Sequence, residues 1–132
     1  MASPTESGST AIRGFTLIEL LVALAIIALL LSIVVPRYFG SLTRADEAAL
    51  KENLFVMRDA IDKHFADTGR YPASLEELAM KKYIRAVPTD PLTQSTASWV
   101  VVPPTDTQLG AVYDVRSGAK GTARDGRPYE QW

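Results

Sequence analysis

Residues 15–35, FTLIELLVALAIIALLLSIVV, carry one charge, Glu19, and two hydroxyls. At ~1.5 Å per residue this run spans roughly 31 Å as a helix, matching the ~30 Å of hydrocarbon in a bilayer. Two other readings compete, a buried helix of a water-soluble core and a removable secretory signal. Against the first, a chain of 132 residues has too little other apolar surface to wrap such a helix on every side. Against the second, the run exceeds the usual ~7–15 apolar residues and no A-x-A site precedes its polar continuation. Residues 15–36 therefore read as a retained transmembrane helix.

The flanking segments differ sharply from it. Residues 1–14, MASPTESGSTAIRG, are too poor in apolar side chains to order themselves and read as a disordered leader. From Arg37 the pattern turns amphipathic: Leu50, Leu54, Met57, Ile61 and Phe65 recur at spacings of four and three, one stripe along a helix. A single helix is thus expected from Phe15 to about Asp67, with a bend or local opening at Pro36, which lacks an amide hydrogen, and at Gly40. Asp67-Thr-Gly-Arg-Tyr-Pro ends it, Gly69 supplying a left-handed cap and Pro72 preventing continuation. Ser74 and Glu77 form a capping box for a short helix over 74–83. Ser98–Val102 and Ala111–Arg116 read as two strands joined by a polar loop. The expected fold class is α+β, with the second half of a long amino-terminal helix packed on a small antiparallel sheet.

Composition excludes several functions. The net charge of −1 (14 Lys+Arg against 15 Asp+Glu) argues against nucleic acid as a partner, since phosphate contacts need clustered cations. With no cysteine and one histidine, the chain has no disulfide framework, thiol chemistry or multi-histidine metal centre. His64 reads as a partly exposed helix residue. Ser117-Gly lacks the G-x-S-x-G context of a nucleophile, and Gly118, Gly121 and Gly126 are too irregular for a phosphate loop. Lys81, Lys82 and Arg85 form a solvated helix face, smaller than the usual lipid-binding cluster.

Glu19 decides between the remaining classes. A carboxylate near mid-membrane costs on the order of 2.5–3.5 kcal/mol on insertion scales. It lies either near the interface, or protonated against lipid, or paired with a cation. The run itself holds no cation; Arg13 and Arg37 flank it. A cut between Gly14 and Phe15 would create one, a free α-amine four residues before Glu19. Between neighbouring copies, that amine and carboxylate would set axial register, because any slip leaves both charges unpaired.

Arg13-Gly-Phe-Thr-Leu-Ile-Glu-Leu-Leu-Val, continuing through Ala23, Ala25 and Pro36, resembles the processing motif of class III prepilin leaders, shared by type IV pilins and type II secretion pseudopilins. The resemblance implies cleavage after Gly14 by a prepilin peptidase, N-methylation of Phe15, and pairing of Glu19 with the amino terminus of an adjacent subunit. It further implies a homopolymeric filament completed by minor pseudopilins and built by an inner-membrane platform with a separate ATPase. The amino end would be cytoplasmic and residues 37–132 periplasmic. The Lys/Arg count does not give this orientation, since Arg13 precedes the run and Arg37 and Arg44 follow it.

Asp67-Thr-Gly-Arg-Tyr-Pro, Leu75-Glu-Glu-Leu, Val87-Pro-Thr-Asp-Pro and Tyr113-Asp-Val resemble the G-type major pseudopilin, a structural subunit without catalysis whose filament drives folded proteins across an outer membrane. The alternatives are a type IV pilin of an adhesion, motility or DNA-uptake pilus, and a membrane-anchored periplasmic binding domain. The chain departs from the G-type pattern after Asp90-Pro91, where it has Leu92-Thr-Gln-Ser. It departs again in the carboxy-terminal loop, where that type commonly binds calcium. Here Asp114 and Asp125 are the acidic candidates, short of the ~6–8 oxygen ligands calcium prefers unless carbonyls and water supply the rest. Lys120, Arg124 and Arg127 also oppose a second cation. Packing of Tyr129 and Trp132, with Asp125–arginine pairing, is the favoured way of holding the tail.

Overall fold

The computed structural model describes residues 1–4, 8 and 13–132; most of the leader expected over 1–14 lies outside the described residues. The chain divides into two compact units, Met1–Phe39 and Gly40–Trp132.

The first unit is dominated by the start of helix α1, Leu17–Thr68. Thr16 precedes the first turn and its Oγ1 accepts from the Glu19 amide at 3.2 Å, while its carbonyl accepts from Leu20 N–H at 3.1 Å. Thr16 and Glu19 thus stand at the spacing of a capping box, and the acid adds negative charge at the positive end of the helix dipole. The large apolar side chains from Phe15 to Val35 are all exposed, from 85% at Phe15 to 43% at Val35. The Ser32 hydroxyl donates to the Leu29 carbonyl at 2.6 Å. Helical backbone continues through Pro36 and Gly40.

In the second unit, α1 contributes Leu50, Leu54, Met57, Ala60 and Ile61 to the core, each at most 2% exposed. Burial of each larger side chain is worth roughly 1.5–3 kcal/mol. The stripe ends differently from its periodicity: Phe65 is half-buried and stacks on Tyr71, whereas His64 is buried. The partly exposed reading of His64 is therefore wrong. Its Nδ1 lies 2.8 Å from the Arg70 carbonyl, which can only accept, so Nδ1 carries the proton. Gly69, at φ 71°, closes α1 with its N–H donating to the Phe65 carbonyl at 2.8 Å.

Helix α2, Leu75–Met80, is shorter than the span read from the sequence. Its start follows the capping pattern: Ser74 Oγ accepts from Glu77 N–H at 3.2 Å, and Glu77 Oε2 reaches back to Ala73 N–H. Its end is a Schellman turn around Lys82 at φ 62°, with Tyr83 N–H donating to the Leu78 carbonyl and Lys82 N–H to that of Ala79. A lysine in the position that favours glycine conceals this stop in the sequence.

Strands β1, Val100–Val102, and β2, Asp114–Arg116, pair antiparallel with Val101 opposite Val115. Both are shorter than their apolar runs. Ala111 and Val112 N–H groups donate to the Pro72 carbonyl, and the Trp99 indole donates to the Pro88 carbonyl at 2.7 Å. The fold is α+β, a long amino-terminal helix with a small two-stranded sheet. Leu75, Leu78, Ile84, Trp99, Val112, Val115, Tyr129 and Trp132 complete the core.

Candidate functional site

Arg13, Gly14, Phe15 and Glu19 line one cavity of about 480 Å³ at the head of α1. The Gly14–Phe15 junction is exposed and outside the helix, which is the state a peptidase needs of a scissile bond. Four residues on, the Glu19 backbone is held by Thr16, but its carboxylate has no hydrogen-bond or ion partner among the described residues. The apolar surface that follows is long and apolar enough to cross a membrane, and none of it is buried by the rest of the chain. A fully exposed apolar helix is not a stable end state in water; lipid or other helices must cover it.

The calcium candidates are both engaged by arginines. Asp114 Oδ1 accepts from Arg58 Nε at 2.8 Å and from Val115 N–H at 2.8 Å. Arg58 also donates to the Val115 carbonyl at 3.0 Å and the Trp132 backbone oxygen at 2.9 Å, so one guanidinium joins α1, β2 and the tail. Asp125 accepts from Arg127 Nε and Nη2 and from its backbone N–H. That N–H first, then the guanidinium, holds the Asp125 carboxyl below its ordinary value. Among the described residues, no group of three His, Cys, Asp or Glu side chains is placed to hold a metal.

Two residues that sequence reasoning missed hold the tail and a loop. Glu47, on α1, accepts from Tyr129 Oη and from Arg124 N–H, both at 2.9 Å. Asp90, fully buried, accepts from Ser117 Oγ at 2.6 Å and from Leu92 N–H at 2.8 Å, fastening the loop after Val87-Pro-Thr-Asp-Pro to the strand-to-tail segment. Only the Asp-Pro turn signal pointed toward Asp90; nothing local marks Glu47.

Comparison with known proteins matches residues 10–35 to the prokaryotic N-terminal methylation motif. The chain is also 33% identical over 95 residues to the type II secretion system core protein G of Klebsiella michiganensis, covering 60% of this chain and 67% of that one. The chain belongs to the core protein G family. Members from Pectobacterium carotovorum and Escherichia coli are 33% and 32% identical, with 61% and 66% of their lengths covered. This core protein G chain thus spans about two thirds of the length of these relatives, or slightly less. It is also 35% identical over 66 residues to the type IV major pilin protein PilA of Myxococcus xanthus, but that match covers 50% of this chain and 30% of the pilin. No solved structure matches it.

Proposed function

We propose that the chain is a structural, non-catalytic subunit of a type II secretion pseudopilus, cut after Gly14, N-methylated at Phe15 and polymerised into a helical filament that drives folded proteins across an outer membrane. The carrying observation is the exposed apolar face of α1, with the Glu19 carboxylate, unpaired among the described residues, four residues from the Gly14–Phe15 junction. Before assembly, lipid covers residues 15–36, with the amino end cytoplasmic and 37–132 periplasmic. In the filament, neighbouring helices replace lipid and Glu19 accepts the Phe15 ammonium of an adjacent subunit. Pro36 and Gly40 let the helix bend to the curvature of the bundle. Prepilin peptidase, minor pseudopilins and a membrane platform with its own ATPase are the partners this role requires. The pilin alternative has the weaker support, since the pilin match covers less of both chains.

Intact-mass and fragment spectrometry of the membrane-extracted protein tests the processing. Loss of residues 1–14 with one methyl group on Phe15 is the expected result; an intact or differently cut amino end overturns it. Glu19→Ala is expected to insert in the membrane normally and to be absent from filaments. Normal incorporation of that variant would end the register assignment.

A further inference from the structure

A second site lies in the Gly40–Trp132 unit. Lys51, Leu54, Arg58, Asp114, Arg116, Arg127, Gln131 and Trp132 surround a cavity of about 440 Å³. Among the described residues lining it, the acidic side chain is Asp114, already occupied by Arg58, which also takes the Trp132 backbone oxygen, and Arg127 is paired with Asp125. Lys51 and Arg116 are exposed and have no ion pair among the described residues. Lys51 Nζ instead sits 4.7 Å from the centre of the Trp132 ring. The Trp132 Nε1 is buried without an acceptor among the described residues. The lining therefore holds donors in excess of acceptors, with Lys51 and Arg127 over the Trp132 ring and Arg116 on the same wall. Such a lining fits a carboxylate, which a guanidinium grips in a planar fork and an ammonium as a point charge.

We propose that this pocket receives a carboxylate side chain from a second copy of the chain, a lateral contact that rests on the filament reading. The same chain carries the complement: Glu52, Asp62 and Glu76 are exposed and have no hydrogen-bond or ion partner among the described residues. Exposed cations on one copy and exposed carboxylates on the next give an attractive, orienting contact that salt weakens.

The test places a photo-crosslinking phenylalanine at Gln131 in the full chain, in membranes of a secreting host, with crosslinked peptides identified by mass spectrometry. Crosslinks to a segment of a second copy bearing Glu52, Asp62 or Glu76 are expected. Each exposed pair is worth a factor of roughly two to five, so Lys51→Gln with Arg116→Gln should cut the yield about four- to twenty-fivefold. Lys120→Gln, outside the pocket, should leave it unchanged, and tryptophan fluorescence checks that every variant folds. Crosslinks only to other polypeptides, no crosslinks, or a yield indifferent to both charge removals would overturn the proposal. Filaments are scored in the same cells: their absence counts against the filament reading, while the crosslink pattern decides the pocket in either case.

Discussion

Arg58 and Asp114, 56 residues apart in the chain, meet at 2.8 Å, and the same guanidinium holds two backbone oxygens at Val115 and Trp132. One side chain thereby ties the central helix to the sheet and to the tail. Removing it strands three acceptors at once. Charge-assisted hydrogen bonds are worth about 1.5–3 kcal/mol, so Arg58→Ala should destabilise the domain by roughly 2–3 kcal/mol. Both tryptophans, Trp99 and Trp132, lie in the second unit. Urea unfolding of the detergent-solubilised chain, followed by their fluorescence, therefore reports on that unit, and Asp114→Asn should recover little when added to Arg58→Ala.

Glu47 is the second fastening of the tail. Glu47→Ala leaves Tyr129 Oη and Arg124 N–H without their acceptor and should cost about 1–3 kcal/mol. Hydrogen exchange at residues 124–132 should quicken before that at Leu54 or Ile61. Burial, then the Glu47 carboxylate, raises the Tyr129 phenol above its ordinary value. A raised value stabilises the fold below the unfolded value of about 10 and is lost as pH climbs through the folded one. Tyr129→Phe should therefore flatten the alkaline limb of stability.

At the acid end the sign reverses. The hydrogen bond from Lys81, with the Ala73 N–H next in weight, holds the Glu77 carboxyl below its ordinary value. A lowered value contributes stability above the unfolded value of about 4.3, and the contribution disappears as pH falls through the folded one. Asp125 behaves alike around its own unfolded value of about 3.9. Urea midpoints should be nearly flat down to about pH 5 and fall below it, with a shallower fall in Glu77→Gln.

Gly110 sits at φ 135°, and a Cβ there would come within 2.2 Å of the Tyr71 carbonyl oxygen. The approach is needed because Tyr71 N–H donates to the Leu109 carbonyl at 2.6 Å, stitching the loop before β2 to the end of α1. Gly110→Ala combines a forbidden backbone with a clash and should cost about 1–3 kcal/mol or more, read as a lower thermal midpoint.

Local pattern carried much of this structure. The four-and-three spacing of Leu50, Leu54, Met57 and Ile61 located the buried face of α1, and Gly69 and Ser74 marked a helix end and a helix start. It failed where the deciding partner is remote or the residue is unusual for its conformation. His64 displaced Phe65 from the core because the Arg70 carbonyl lies within reach of its ring. Lys82 took a left-handed turn that glycine normally marks. Nothing in the local sequence marks Glu47 or Arg58, since their partners lie 56 to 82 residues away. The N-terminal methylation motif was legible as residue pattern and composition break, but the Thr16 cap behind Glu19 was hidden by the apolar context of both residues.

The tail is anchored through Arg58, Glu47 and the packing of Tyr129 and Trp132, with no cysteine in the chain. Folding of the domain consequently involves no disulfide oxidase or disulfide isomerase, and dithiothreitol should leave its melting curve where it was. A subunit fastened this way takes its final form as soon as it folds, in whichever redox surroundings it meets.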